Sequence, residues 1–188
     1  MTMEPGAPDI KAGDVHGKDG VIVAVGQKLN APGATIINGV GMIDIPVGLS
    51  VDTVELMGNA DMFGIMKFIQ NIENGKSENE FKLTARRVLE LGTIEGARSM
   101  GIADKVGSLK AGKRADLIMV STRDVNLGVF GDPAHMLVTA AQPSNVDTVV
   151  VDGRILKRGG KLTAMNTNQI VAEAAAANAA LRKRADWW

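Results

Sequence analysis

The chain has 188 residues with 21 basic and 21 acidic side chains, so it can bury a core as one domain, or as one domain with an appendage, and its balanced charge gives no general pull towards nucleic acid or acidic lipid. No uninterrupted apolar run approaches the ~20 residues of a spanning helix, and the start MTMEPGAPDI lacks a basic and apolar leader, so neither a membrane nor a nucleic acid is expected as a partner. Cysteine is absent, which removes disulfides and thiolate metal ligands and is compatible with a reducing cytoplasm; with no Tyr, four Phe and two Trp, the core must rest on aliphatic residues and ten Met.

Residues 13–45 alternate short apolar runs with turn residues, with strands expected at 21–25, 35–37 and 42–45. This reads as a small β-meander. Gly39-Val40-Gly41 is a lone G-x-G with no following helix, better explained by a hairpin turn than by a phosphate site. A helix is expected next, with Met62, Ile65, Met66 and Ile69 on one core-facing stripe and Asn74-Gly75 ending it. A second helical stretch is expected from near Glu80, carrying Leu83, Val88 and Leu91 and closed by Gly92; Thr93 then caps a short third helix through Met100, where Gly96 and Ala97 permit close packing.

In the segment KVGSLKAGKRADLIMV, residues 105–120, Gly107, Gly112 and Lys113 nearly spell the phosphate loop G-x-x-x-x-G-K-[ST]. Arg114 replaces the hydroxyl that magnesium needs. The order is also reversed, because the helical pattern precedes the segment and an apolar run follows it. The reading is therefore a turn, with Gly112 at positive φ, that feeds a buried strand over 115–120. Asp132-Pro133 supplies a helix cap followed by proline at the first helical position. The runs 148–151 and 154–157 flank Asp152-Gly153, a strong hairpin signal. Asn166 and Gln169 form a capping pair for an alanine-rich final helix. Its basic end, Arg182 to Arg184 followed by Trp187 and Trp188, has two readings: a partner or nucleic-acid contact, or cations on the helix dipole with tryptophans folded back on the body.

Three ordered blocks, residues 83–102, 105–120 and 146–163, resemble the segments that follow the catalytic barrel in amidohydrolases, especially the cytosine deaminase and chlorohydrolase branch. DGVIVAVGQ resembles that family's N-terminal sandwich strands, and GMIDIP resembles the lead into barrel strand 1. After Pro46, however, the chain continues as VGLSVD, which resembles barrel strand 8. A complete barrel takes ~250 residues, so the resemblance implies two flanks joined with most of the barrel missing between Pro46 and Val47.

The resemblance implies an α+β fold: a small composite β-sandwich of N- and C-terminal segments with packed helices and a remnant of a (β/α)8 barrel. The expected divisions are 1–46 for the N-terminal part of the sandwich, 47–104 for the barrel remnant, 105–165 for the C-terminal part and 166–188 for the last helix. It further implies a hydrolase or deaminase that uses a divalent metal, zinc or iron, on C–N or C–Cl bonds of a heterocyclic small molecule.

Asp52 matches the strand 8 aspartate, which in the family binds metal and accepts a proton from the bound water. Taken without the resemblance, it reads as an aspartate that ends a strand and caps the next turn. His16 and His135 match no family ligand; a turn histidine and a helix-face histidine are expected. With one ligand matched, this chain alone is expected to bind no catalytic metal. Three functions stay open: an incomplete hydrolase, a catalytically silent scaffold or binding domain, and an enzyme completed by another chain. Self-association is expected through residues 47–51 and 62–69, which lack their barrel neighbours.

Overall fold

The computed structural model describes residues 10, 13–37, 42–46, 58 and 60–187, the stretch 42–46 as backbone alone. The expected strand at 47–51, Asp52 and the glycines at 39 and 41 lie outside the described residues. The fold mixes helix and sheet in three layers. β1 (Asp14–Lys18) and β2 (Val21–Gly26) make an antiparallel hairpin across Asp19-Gly20, both at positive φ. β3 (Met42–Pro46), β4 (Leu117–Ser121), β5 (Val146–Val151), β6 (Arg154–Arg158) and β7 (Lys161–Leu162) form a separate antiparallel sheet in that order. The helices α1 (Met62–Lys76), α2 (Ala85–Glu90), α3 (Gly96–Ser99) and α4 (Pro133–Thr139) supply the third layer, and α5 (Thr167–Ala185) follows the sheet.

The period of two along β4 divides the core. Leu117 and Met119 pack with Ile22, Leu109 and Ala115 on the hairpin side. Ile118 and Val120 pack with Phe63, Val88, Leu89, Leu137 and Val138 on the helix side. Neighbouring β5 keeps the same division despite an extra residue: Val120 pairs with Val146 and Met119 with Thr148, so Asp147 is bulged out. Val146 therefore joins the helices and Val150 the hairpin. Complete burial of Leu89, Leu137 and Val138 contributes about 1.5–3 kcal/mol each.

Several helical expectations are corrected. The buried face of α1 is Phe63, Met66 and Gln70, whereas Ile69 is 43% exposed. Gln70 is buried because its Nε2 donates to the Leu83 carbonyl at 3.1 Å. The helix also runs past Asn74-Gly75 to Lys76. Asn74 does not break it, because its side chain is engaged elsewhere: Nδ2 donates to Glu80 O at 2.7 Å, and Oδ1 accepts from Leu83 N at 2.7 Å. These bonds hold the connection to α2, which starts at Ala85 under a Thr84 cap and not near Glu80.

Gly92 does not close α2. Residues Leu91–Glu95 make a π-helical turn that passes directly into α3. Thr93 lies inside this turn and caps nothing, its hydroxyl donating to Leu89 O at 2.6 Å. Across the turn, Arg87 reaches Glu90 at 3.0 Å and Glu95 at 2.9 Å, and Arg98 reaches Glu95 at 2.7 Å. Residues 35–37 form no strand, and the strand expected from Ala115 begins at Leu117. The Asp132 cap, the Asp152-Gly153 turn and the Asn166 cap occur as expected. Trp187 does not fold back on the body: it is 61% exposed.

Candidate functional site

The segment that nearly matches a phosphate loop does mechanical work. Its amides are already committed: Gly112 N donates to Ile22 O at 2.7 Å, and Lys113 N donates to Lys110 O at 3.1 Å. Neither is available to cradle a phosphate. Gly112 has φ +92, which lets the chain turn so that Ile22 N also donates to Lys113 O at 2.6 Å. Ala115 N then donates to Gly20 O at 2.9 Å, and Gly153 N to Ala115 O at 3.1 Å. Together these bonds latch the N-terminal hairpin onto the β5–β6 turn. The Asp116 carboxylate, which accepts the Asp152 amide, and the partly exposed Arg114–Asp152 pair at 3.4 Å close the same corner.

Lys113 is 7% exposed, and its Nζ donates to Ser108 Oγ at 2.6 Å and to Val106 O at 3.3 Å. A buried ammonium needs such partners to offset its lost hydration. The sequence reading did not place Lys113 inside. The signal was present, since extending the alternation of Met119, Leu117 and Ala115 backwards by two residues puts Lys113 on the buried face.

Beside this loop is a wide, open depression of about 500 Å³ lined by Ile94, Arg98, Ala103, Asp104 and residues 110–113. Arg98 is paired with Glu95 at its rim. A second polar cluster closes the excursion between β4 and β5: buried Asn145 donates to Asp124 Oδ2 at 2.7 Å and to Asn126 Oδ1 at 3.0 Å, and accepts from Asn126 Nδ2 at 2.9 Å. Both clusters are satisfied within the chain and have the character of structural ties.

The expected site residues do not converge. Asp52 lies outside the described residues. His16 is in strand β1, opposite Ala24 and beside a bulge, and not in a turn as expected. His135 is exposed on α4, in the layer on the other side of the sheet. Among the described residues, no group of three or more His, Cys, Asp or Glu is placed to hold a metal ion. The described residues therefore do not fit a divalent metal centre.

Residues 20–156 match the Amidohydrolase family, and the chain belongs to it. It is 33% identical over 129 residues to a 5-methylthioadenosine/S-adenosylhomocysteine deaminase of Moorella thermoacetica, covering 69% of this chain and 30% of that protein. It is 36% identical over 135 residues to a 5'-deoxyadenosine deaminase of Methanothermobacter thermautotrophicus, covering 71% and 31%. An S-triazine hydrolase of Gordonia rubripertincta is 31% identical, with 66% and 26% covered.

Among solved structures, an adenosine deaminase from Xanthomonas campestris with bound zinc superposes with a TM-score of 0.62 at 26% identity, over 65% of this chain and 28% of that one. An atrazine chlorohydrolase from Arthrobacter aurescens complexed with zinc gives 0.56 at 26% identity, over 61% and 25%. The chain thus spans about 30% of the length of the curated relatives it matches.

Proposed function

We propose that these 188 residues are flanking parts of a metal-dependent hydrolase or deaminase that acts on C–N or C–Cl bonds of heterocyclic small molecules, and that alone they form a catalytically silent scaffold. The observation that carries this reading is the mismatch between latch and site: the family match runs through the corner that joins hairpin to sheet, while no metal grouping occurs among the described residues. The proposed divisions are 1–46 and 105–165 as two parts of one composite sandwich, 47–104 as a barrel remnant and 166–188 as the terminal helix. No helix among the described residues is long and apolar enough to cross a membrane, and the cysteine-free composition supports the cytoplasm as the proposed compartment.

A second reading, an enzyme completed by another chain or copy, is favoured by α1. Phe68 and Ile72, opposite its buried face, and Ile69 at the flank are 62, 42 and 43% exposed, so the helix is apolar on two sides. A helix of that kind is built to be covered on both. Self-association through this face is the expected behaviour of the chain alone.

The test is to dialyse the protein against metal-free buffer, restore zinc, iron or manganese, and measure metal per chain together with deamination and dechlorination of a heterocycle panel. No stoichiometric ion and no turnover support the scaffold. One tightly held ion, lost with activity in Asp52→Ala, overturns it. Turnover that appears after a separately expressed barrel segment is added establishes the completed enzyme.

A further inference from the structure

All 19 residues of α5 are exposed, so this helix is left uncovered by the other described residues. It is nevertheless long, about 28 Å at 1.5 Å per residue, and carries Ile170, Val171 and Leu181 at 47, 68 and 50% exposure. Ile170, Ala174, Ala177, Leu181 and Ala185 follow one another at i, i+4, i+7, i+11 and i+15, which places them on one stripe. We infer that α5 is a dimerisation helix that pairs antiparallel with α5 of a second copy of this chain, about a two-fold axis between Ala177 and Asn178.

The stripe complements itself in that arrangement. Inversion about the axis sets Ile170 against Ala185 and Ala174 against Leu181, so each large side chain meets a small one, as interdigitating helix surfaces require. Charge agrees with size. On the helical wheel Glu173 and Arg184 flank the stripe on the same edge, and the two-fold brings each Glu173 beside the partner copy's Arg184.

Parallel pairing lacks both features, because it sets Ile170 against Ile170 and Leu181 against Leu181 and leaves Glu173 and Arg184 far apart along the pair. Antiparallel pairing also sends the two bodies, which join α5 at Asn166, to opposite ends of the helix pair. Asn178 sits at the edge of the stripe beside the axis, where one amide can fix the register. A contact along the full helix buries on the order of 1,000 Å² in total, the lower limit of a specific interface. The pair is therefore expected to dissociate on dilution.

The chain contains no cysteine, so single cysteines report the geometry directly. Under mild oxidation, Ala177→Cys is expected to form a disulfide-linked dimer, whereas Ala185→Cys, which faces Ile170 of the other copy, is not. With association through α1 removed by Phe68→Glu, sedimentation should show loss of the dimer in Glu173→Arg and in Arg184→Glu, and its return in the double exchange, with helicity unchanged by circular dichroism. Equal cross-linking at both cysteines, a monomer at the highest soluble concentration, or a dimer that survives each single exchange overturns the inference. Without Phe68→Glu the same exchanges leave association through α1 standing, since that face shares no residue with α5.

Discussion

Gly20 and Gly153 meet backbone to backbone: a Cβ on Gly153 would lie 2.9 Å from Gly20 Cα and 3.1 Å from Gly20 N. Each is the second residue of an Asp-Gly turn, and each has positive φ, +78 and +74. The β1–β2 and β5–β6 turns thus touch where neither can carry a side chain. Gly153→Ala is expected to lose about 2–4 kcal/mol, combining left-handed strain with backbone overlap. Gly159→Ala, at φ +57 with nothing within 4 Å, provides the strain alone, about 1–2 kcal/mol. Urea unfolding of the two variants measures the difference. Equal losses would mean that the turns can separate freely.

Gly107 packs on the π-helical region in a similar way. At φ +87, an added Cβ would meet Ala97 Cβ at 2.8 Å, Ile94 Cα at 3.0 Å and Thr93 O at 3.2 Å. Gly107→Ala is expected to cost about 2–4 kcal/mol, with Ala97→Gly in the same chain recovering about 1 kcal/mol through relief of one of the three contacts. A double-mutant cycle by chemical denaturation tests the coupling, and strictly additive losses would show that the two positions do not press on each other.

Lys113→Met keeps most of the side-chain volume but removes the ammonium that Ser108 and Val106 accept from. The expected loss is about 1.5–3 kcal/mol, since hydrogen bonds to a buried charge exceed neutral ones. The hairpin should also loosen first, and faster amide exchange at Ile22 than at Leu137 would report it. Uniform exchange across both layers would argue against a local tie.

The Arg87 guanidinium holds the Glu95 carboxyl below the ordinary carboxylate range through a direct hydrogen bond, while Arg87 itself is raised by Glu90 and Glu95. A carboxyl lowered in the folded state contributes stability above its unfolded pKa and loses it as pH falls through the folded one. Glu95→Gln should therefore melt below the parent at neutral pH and match it in acid, once Glu95 is protonated in both states. The group is partly exposed, so added salt should shrink the neutral-pH gap. A gap that persists in acid would assign the loss to packing.

Local signals in the sequence were legible where one residue fixes its own backbone. Asp152-Gly153 demanded two positive φ angles and has them; Asp132-Pro133 and Asn166 open helices as their chemistry requires. What escaped reading depended on partners far along the chain. Gly92 and Thr93 look like a stop and a start, yet Arg87, Glu95 and Arg98 carry the helix through them. Ile69 fits the apolar period of α1, but Gln70 takes the buried place because the Leu83 carbonyl waits there. Strand β1 offers little apolar text, and its clue was the Asp19-Gly20 turn that pairs it with β2. As for the site, Asp52 and the two histidines carry no mutual spacing that a sequence could reveal, and His16 and His135 fall in different layers.

The sheet order sets a timetable for folding. Strands β5, β6 and β7 are joined by tight turns, whereas β3 reaches β4 by pairing Pro46 with Leu117 across α1, α2 and α3. Closing that loop costs entropy before any contact repays it, so the C-terminal meander forms early and β3 arrives late. Until it arrives, β4 presents a bare edge of unpaired amides and carbonyls to solution. That interval is when another copy can supply its own β3, so refolding at high concentration is expected to exchange strands between molecules, and refolding at low concentration to yield monomeric pairing.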